Sequence, residues 1–527
     1  MLNTFHTQTN VYMASSPAKA GQTMRVAWKF NESNIDPTGN QQLKKYKQMK
    51  KLKLHLFVFS LLTLVLFKPL FAVEKKTPSK PNVVFIAIED FSPKHFGSYG
   101  GKAITPNIDA LASEGVIFKN AFCAGPVCNP SRTSLFTGLR PPTSGVFGNQ
   151  HKWKEMTLPK IQATMPKHFH NNGYEAVWVG KMFHHQMEHP ESWSRELQTP
   201  VEGRKMLSSY HPEVMEVLDE LDTVAGGGYF ETDLQWGPVD CDPGEFRDGH
   251  YATVASDYLA ERHEKPFFLA VGFHAPHVKF AAPKQFFDLY DVNDIELPDN
   301  PLNDLYDIPA INKKALVFEV MDSTEWREIK RAQFACISYV DWCIGQILQA
   351  LIDNNLDENT AVVIWTDHGF LLGEHFQFSK GGNKLFEETA NVGFIWKVPG
   401  LTPEGVISES VVESIDLFPT LFDLCNISIP EHVEGKSFVP LLNNPSLPWK
   451  KAAFTWGTPK RVSVQTERYR LNTDTDLDPE SFELYDHIID PQEYINVSCN
   501  PQYKAVIDSL ITYYQNHKKE YSLKVDE

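Results

Sequence analysis

Four apolar runs of strand length recur along the chain, and polar residues follow each of them. The first, Val83–Ile88, is unbroken and rich in β-branched residues, as is typical of a strand buried on both faces of a sheet. The other three are Ala176–Val179, Phe267–Val271 and Ala361–Trp365. Helical segments separate these runs, and Thr105-Pro106 supplies the N-cap and first-turn proline of one of them. This alternation predicts a mostly parallel sheet covered by helices.

The C-terminal part of the chain has a different pattern. Pro445–Trp449 has the composition of a linker, and three short runs of strand character and one helical segment follow it: Ala453–Trp456, Arg461–Gln465, Tyr469–Asn472 and Ala505–Tyr514. This pattern predicts a small antiparallel subdomain with one helix. We therefore expect three parts: an N-terminal extension with a leader over residues 1–72, a main α/β domain over 80–446, and a C-terminal subdomain over 447–527.

The leader resembles a secretory signal peptide. Three lysines follow Met49, an apolar stretch spans Leu54–Phe67, and Ala72 offers a small residue for cleavage. An uncleaved membrane anchor is the alternative, although the stretch is short for a span. We expect an exported protein, periplasmic or secreted, with no stable membrane span, and Met49 as the true start.

The net charge limits the possible partners. The 527 residues carry 50 Lys+Arg and 66 Asp+Glu, a formal charge of −16, and hydrophobic residues make up 42%. Residues 1–72 are basic, so the remaining 455 residues carry −24. Such a surface repels nucleic acid, and an anionic substrate would need a local basic pocket.

The seven cysteines do not define a disulfide framework. Cys336 and Cys343 lie on one stripe of the predicted helix Glu325–Leu351, about 10 Å apart along its axis, which favours a role as small core residues. Four others could pair, in an order that the sequence leaves open: Cys123, Cys241, Cys425 and Cys499.

The polar residues after the four strands are the main functional signal. They are Glu89-Asp90, Lys181 with His184, His274 with His277, and Asp367-His368. Carboxyl ends of parallel strands share one edge of a sheet, where ligand sites form. Each residue alone could be a turn or surface group, but together they favour a site. Carboxylates suit Ca²⁺ or Mg²⁺. A zinc cluster of His184, His185 and His189 is an alternative without a standard spacing.

Cys128 lies in the segment C-N-P-S-R. Pro130 fits the first turn of a helix, so Cys128 would lie at the helix N-terminus, where free N–H groups and Arg132 can bind a tetrahedral anion. A structural cysteine or a reactive thiolate remains an alternative at this position.

C-x-P-S-R followed by T-G is similar to the signature of the type I sulfatases, in which the cysteine is oxidised to formylglycine before export. Other segments resemble the same family along nearly all of the mature chain, and the iduronate-2-sulfatase branch in particular. They are P-N-V-V-F-I-A-I-E-D, T-P-N-I-D-A-L-A-S-E-G, V-G-K-M-F-H, V-G-F-H-A-P-H, P-K-Q-F-F-D-L-Y, D-H-G-F-L-L-G-E-H and Ser379-Lys380. The resemblance implies an alkaline-phosphatase/sulfatase-like α/β fold with a smaller C-terminal subdomain, residues 80–446 being catalytic.

The resemblance also implies a role for each matching residue. One Ca²⁺ would be bound by Glu89, Asp90, Asp367, His368 and the modified Cys128. Arg132 would orient the hydrated aldehyde. The sulfate would be bound, or its bridging oxygen acted on, by Lys181, His184, His274 and Lys380. Two positions depart from the family: Glu89, where it usually has Asp, and Ala275, where it often has a basic residue.

The implied reaction is hydrolysis of a sulfate ester. One hydroxyl of the aldehyde hydrate would attack sulfur while His274 or His184 protonates the leaving oxygen, and the second hydroxyl would allow sulfate to be expelled. The expected substrate is a sulfated oligo- or polysaccharide, with the 2-O-sulfate of a terminal uronic acid as the first expectation. A formylglycine-generating enzyme would act during maturation. The alternatives are a phosphomonoesterase or phosphodiesterase with an unmodified Cys128, and a non-catalytic protein that binds sulfated glycans.

Overall fold

The computed structural model describes residues 80–184, 187–197, 206–208, 211–220, 235–309 and 323–525. The predicted N-terminal extension with its signal peptide, and His185 of the alternative zinc cluster, lie outside these ranges.

An eight-stranded sheet forms the centre of the main domain. In chain order its strands are β1 (Asn82–Ile88), β2 (Val116–Phe118), β3 (Glu175–Gly180), β4 (Arg195–Glu196), β5 (Phe267–Gly272), β6 (Thr360–Thr366), β7 (Phe394–Lys397) and β8 (Val406–Ser408). Their order across the sheet is β8-β2-β7-β6-β1-β5-β3-β4. β7 pairs antiparallel with β2 and β6, and the other neighbours are parallel. The predicted mostly parallel α/β sheet is therefore confirmed.

The four strands predicted from apolar runs are consecutive neighbours in this sheet, in the order β6-β1-β5-β3. Their registers align their carboxyl ends: Ile88 of β1 is opposite Thr366 of β6, and Gly272 of β5 is opposite both Ala87 and Gly180. Since the polar residues begin one or two positions after these pairs, the sheet brings all four groups to one edge.

Helices cover both faces of the sheet. They are α1 (Pro106–Ser113), α2 (Cys128–Thr137), α3 (Met165–Asn171), α4 (Pro212–Glu220), α5 (Arg247–Leu259), α6 (Ser323–Asp353) and α7 (Leu417–Leu424). Shorter helical segments span Pro141–Ser144, Trp153–Thr157, Lys284–Phe287, Glu387–Ala390 and Val439–Asn443. Because side chains alternate along a strand, Val84 and Ile86 of β1 pack with α1, α5 and α6, and Val83 and Phe85 pack with α2, α3 and α7.

The C-terminal subdomain is an antiparallel sheet with one long helix. Its strands are β9 (Ala453–Thr458), β10 (Arg461–Gln465), β11 (Tyr469–Asp474) and β12 (Glu483–Asp486), paired in chain order, and its helix is α8 (Lys504–Val525). The fourth strand was missing from the sequence prediction, and the helix is longer than predicted. The subdomain has its own core, in which Trp456, Val464 and Leu484 pack with Leu510 and Tyr514.

Helix α6 is the central helix of one face. By length and composition alone this helix could cross a membrane. However, 67% of its most apolar stretch of 18 residues is buried within the fold, as in a core helix of a globular domain. Cys336 and Cys343 are both fully buried in it, as predicted for small core residues. All seven cysteines lie among the described residues, and none forms a disulfide.

Candidate active site

The turn after β1 delivers two carboxylates to the edge of the sheet. Glu89 and Asp90 are 0% and 1% exposed. Asp90 has a positive φ of 52°, a left-handed conformation that Asp tolerates better than most residues and that ends the strand abruptly. Its backbone N–H donates to Oδ1 of Asp367 at 3.0 Å. This contact joins the turn after β1 to the turn after β6.

Cys128 lies at the first position of helix α2, as the proline pattern predicted, and faces these carboxylates. Its Sγ lies 3.2 Å from Glu89 Oε1, 3.8 Å from Asp90 Oδ1, 3.3 Å from His368 Nε2 and 3.4 Å from Lys380 Nζ. The Cys128 side chain is fully buried. A reactive group at this position is therefore surrounded by the residues that the sequence singled out.

Three buried cations balance the three buried carboxylates of the cluster. Arg132 Nε donates to Asp367 Oδ2 at 2.8 Å, and its Nη1 donates to the carbonyl oxygens of Lys181 and Met182 at 2.6 and 3.1 Å. The Lys181 ammonium pairs with Glu89, and the Lys380 ammonium pairs with Asp90. Arg132 therefore also fixes the loop after β3. A substrate anion would enter a site whose own charges are already matched.

Burial and charge shift several pKa values in the cluster. Burial raises the pKa of the Cys128 thiol to about 12, so an unmodified thiol at this position is almost entirely protonated at neutral pH. Burial together with the charge of Lys380 lowers the pKa of Lys181 to about 7. Burial opposes ionisation of Asp90, but Lys380, His277 and His368 outweigh it and lower the pKa of that carboxyl.

The donor set fits a hard divalent cation. Ligand atoms of Asp90, Cys128, Asp367 and His368 all lie within 4.8 Å of one another. His368 Nδ1 lies 2.9 Å from the carbonyl oxygen of Gly369, which leaves Nε2 of the neutral ring directed at the cluster as an acceptor. Glu89 Oε2 is buried and has no hydrogen-bond partner among the described residues. Carboxylate oxygens are the protein ligands that Ca²⁺ and Mg²⁺ prefer, and they outnumber the single imidazole nitrogen in this cluster.

The histidines after β3 and β5 occupy different positions. His277 Nε2 lies 3.9 Å from Glu89 Oε1 and 3.8 Å from Asp90 Oδ2. His274 instead lies beside Asp248, with its Nδ1 3.9 Å from Asp248 Oδ1. His184 follows Lys181 on the loop after β3 and is half-buried. His277 thus faces the carboxylates of Glu89 and Asp90, whereas His274 faces that of Asp248.

The structure thus brings together eight of the predicted site residues: Glu89, Asp90, Cys128, Arg132, Lys181, Asp367, His368 and Lys380. It places His274 at the margin, and the catalytic roles of His274 and His184 stay predictions. Sequence reasoning did not assign a role to His277 or Asp248. The signal for His277 was present, because it follows the same strand as His274, whereas nothing in the pattern distinguished Asp248.

Comparison with known proteins agrees with this geometry. The Sulfatase family model matches residues 81–427 of the chain. A second model, N-sulphoglucosamine sulphohydrolase, C-terminal, matches residues 373–520. The first match covers more than half of the chain, and the chain therefore belongs to the sulfatase family. Hydrolysis of sulfate esters is the activity that this membership supports.

Two relatives and one solved structure define the similarity further. A sulfatase of Formosa agariphila is 33% identical over 451 residues, covering 83% of this chain and 86% of that protein. Iduronate 2-sulfatase of Homo sapiens is 33% identical over 410 residues, covering 68% of this chain and 71% of that protein. The phosphonate monoester hydrolase of Agrobacterium radiobacter has a TM-score of 0.65 at 20% identity, over 84% of this chain and 96% of that chain. The last comparison concerns the fold alone.

Proposed function

We propose that this chain is a formylglycine-dependent, calcium-binding sulfatase that removes the 2-O-sulfate of a terminal uronic acid in a sulfated glycan. The observation that carries the proposal is the position of Cys128 Sγ, between 3.2 and 3.8 Å from Glu89, His368, Lys380 and Asp90. Oxidised at this position, residue 128 would present its new oxygen atoms to both the acidic and the basic side of the cluster.

The chain's own residues supply binding, orientation and charge. The ammonium group of Lys181 pairs with Glu89, and that of Lys380 pairs with Asp90. Both ammonium groups can donate to sulfuryl oxygens when a bound substrate competes with these carboxylates. Arg132 has one buried nitrogen, Nη2, without a hydrogen-bond partner among the described residues, and this nitrogen can donate to a bound oxyanion. These three groups can therefore stabilise the negative charge that develops on the sulfuryl oxygens.

His277 is the candidate proton carrier on the geometry. Its Nδ1 lies 2.6 Å from the carbonyl oxygen of Val278, an arrangement in which Nδ1 donates and Nε2 of the neutral ring accepts. Burial lowers the pKa of His277 to about 3 even though Asp90 opposes this shift, so the resting ring is neutral. Nε2 could accept the proton that the attacking hydroxyl loses and pass it to the leaving oxygen of the ester.

Formylglycine at position 128 and a bound divalent cation would supply complementary chemistry. A formylglycine hydrate supplies an oxygen nucleophile and a second hydroxyl for its regeneration, which a thiol cannot do. A divalent cation held by Glu89, Asp90, Asp367 and His368 supplies positive charge beside that nucleophile. Ca²⁺ suits the longer carboxylate at position 89 because it accepts six to eight oxygens in variable geometry.

The similarity to iduronate 2-sulfatase supports the uronate substrate. The net charge of the chain after residue 72 disfavours binding of a polyanion over a large surface, which supports action on the end of a glycan. Export to the periplasm or the medium, and maturation by a formylglycine-generating enzyme, belong to the same proposal.

The first experiment compares sulfate and phosphate esters of one aryl alcohol, using enzyme coexpressed with a formylglycine-generating enzyme. We expect the sulfate ester to be strongly preferred. A strong preference for the phosphate ester would instead assign the chain to phosphoryl hydrolysis, and binding without turnover of either ester would assign it to glycan binding. Desulfation of a panel of defined oligosaccharides then tests the position. Activity confined to 6-O- or N-sulfated hexosamines would refute the uronate substrate and leave the sulfatase activity standing.

The second experiment determines the chemistry of residue 128. Peptide mass spectrometry of active enzyme should show formylglycine at this position. Cys128→Ala should abolish turnover, whereas Cys499→Ser, which removes an exposed thiol elsewhere, should have no effect. Finding only an intact thiol in fully active enzyme would contradict the proposal.

A further inference from the structure

A narrow cavity adjoins the cluster on the side of strand β5. Its lining includes Arg247, Asp248, His274, Ala275 and His277. His277 belongs to both places, because its Nε2 lies 3.8 Å from Asp90 Oδ2. The cavity is therefore next to the position at which a sulfate ester would react, although its volume of about 10 Å³ admits no more than a water molecule.

Asp248 uses its carboxylate to hold the loop after β5. It is buried and accepts the backbone N–H of His274 at 3.1 and 3.2 Å and that of Ala275 at 2.7 Å. These two amides occupy part of the acceptor capacity of the carboxylate, which also attracts the Arg247 guanidinium electrostatically. Asp248 is therefore a positioning residue for the loop that carries His274 and His277.

Arg247 is the first residue of helix α5 and lies beside this carboxylate without a hydrogen bond to it. Its Nε is 3.8 Å from Asp248 Oδ1, beyond hydrogen-bond length. This nitrogen is buried and has no hydrogen-bond partner among the described residues, and the side chain is only 20% exposed. A buried guanidinium nitrogen without a bonded acceptor is costly, and an anionic ligand that bonds it would remove that cost.

The charge of Arg247 acts on the reactive side of the site. Burial lowers the pKa of His274 well below its usual range, and Arg247 contributes to that shift. It also contributes to the lowered pKa of Lys181, after burial and Lys380. Ala275 contributes only a methyl group to the cavity, and the buried Lys279 is the other cationic residue of its lining.

We propose that Arg247 is a specificity-determining residue that binds the carboxylate of the uronic acid whose sulfate is removed. The inference rests on the proposed function and adds the group that recognises the sugar. A guanidinium can donate two parallel hydrogen bonds to a carboxylate, which fixes the orientation of the ring as well as its charge. A second sulfate on the sugar is the other anion that Arg247 could bind.

The test compares two substrates in four enzymes. The substrates are a 2-O-sulfated uronate glycoside and its carboxyl methyl ester, and the enzymes are the wild type, Arg247→Ala, Arg247→Lys and the control Arg262→Ala. Arg262 is exposed beyond the end of α5. We expect the wild type and the control to prefer the free acid by at least tenfold in kcat/KM, because the ester cannot form the charged pair. Arg247→Ala should remove this preference, and Arg247→Lys should retain part of it.

Inhibition measurements test carboxylate binding by Arg247 independently of the proposed reaction on a uronate. The desulfated uronate glycoside and its methyl ester are compared as inhibitors of aryl sulfate hydrolysis, which needs no uronate turnover. Stronger inhibition by the acid in the wild type, lost in Arg247→Ala, supports carboxylate binding even if the 2-O position is wrong.

Three outcomes overturn the inference. They are an unchanged acid-to-ester ratio in Arg247→Ala, a wild type without preference for the acid, and a loss confined to substrates that carry a second sulfate. Thermal unfolding of each variant identifies loss of fold, and Arg247→Lys then provides the comparison if the alanine variant unfolds.

Discussion

Glu89 is the residue whose replacement tests the metal site most directly. Its side chain is fully buried, with Oε1 at 3.2 Å from Cys128 Sγ and Oε2 without a hydrogen-bond partner among the described residues. It thus points into the cluster and does not cap the following loop. Glu89→Gln keeps the shape and one oxygen but removes the charge. We expect it to weaken Ca²⁺ binding and to lower turnover, with partial recovery of turnover at high Ca²⁺.

The size of the effect follows from the loss of one charged ligand. Even residues that only support a metal ligand change affinity by about 10- to 100-fold when replaced, and a direct ligand should reach the upper end of that range. A 100-fold weaker Kd removes about 2.7 kcal/mol of the stabilisation that saturating Ca²⁺ gives the folded protein. The variant also leaves the buried Lys181 without its charged partner, which destabilises the metal-free protein separately.

The assay is unfolding by denaturant with and without Ca²⁺, supported by calorimetric titration of Ca²⁺. The difference between the two unfolding free energies cancels the effect on the metal-free protein. Glu404→Gln, at an exposed surface position, is the matched control and should behave as the wild type. Glu89→Asp should retain most of the binding because it keeps the charge. An unchanged Ca²⁺ affinity and rate in Glu89→Gln would show that the ligands are Asp90, Asp367, His368 and the modified residue 128 alone.

Other predictions test Lys181, the two histidines after β5, and the ion pair between Glu493 and Arg470. Lys181→Ala should lower kcat by about 10²- to 10³-fold with the fold intact, whereas the exposed Lys152→Ala should not; near-normal activity would remove Lys181 from the mechanism. His277→Ala should lower kcat more than His274→Ala, because its Nε2 faces the carboxylates; the reverse order in steady-state kinetics would restore His274 as the proton carrier. Glu493→Gln should lower the free energy of unfolding, measured in urea, by about 3–5 kcal/mol, because it removes a charged partner of the buried Arg470. A loss below about 1 kcal/mol would refute this.

The Glu493 contact also has an expected pH dependence. Burial opposes ionisation of Glu493, but the β11 arginine and His487 outweigh it and hold the pKa of that carboxyl below its usual value. Its contribution to stability is therefore present above the unfolded pKa of about 4.5 and is lost as the pH falls towards the lower folded value. The glutamine variant should lose less stability than the wild type between about pH 5 and pH 3 in urea titrations. Parallel losses would contradict this assignment.

The sequence by itself determined the local elements and the chemistry of the site. Unbroken apolar runs identified β1, β3, β5 and β6 because strands buried on both faces have no polar positions. The sequence also identified the polar residues that end these runs and the proline that places Cys128 at the start of α2. All of these signals are local, because each lies within a few residues of the structure that it specifies.

Only the tertiary structure decided how these local elements meet. The order β6-β1-β5-β3, which brings residues 89, 181 and 367 together, depends on pairings between distant segments that no local pattern encodes. The same holds for the antiparallel β7 and for the short strand β12, whose alternation is too brief to identify alone. Which imidazole faces the carboxylates, and that Arg247 lies beside Asp248 without a bonded acceptor, follow from side-chain directions fixed by packing. The sequence thus specified the reacting groups, and the packing of the sheet and its loops specified their arrangement.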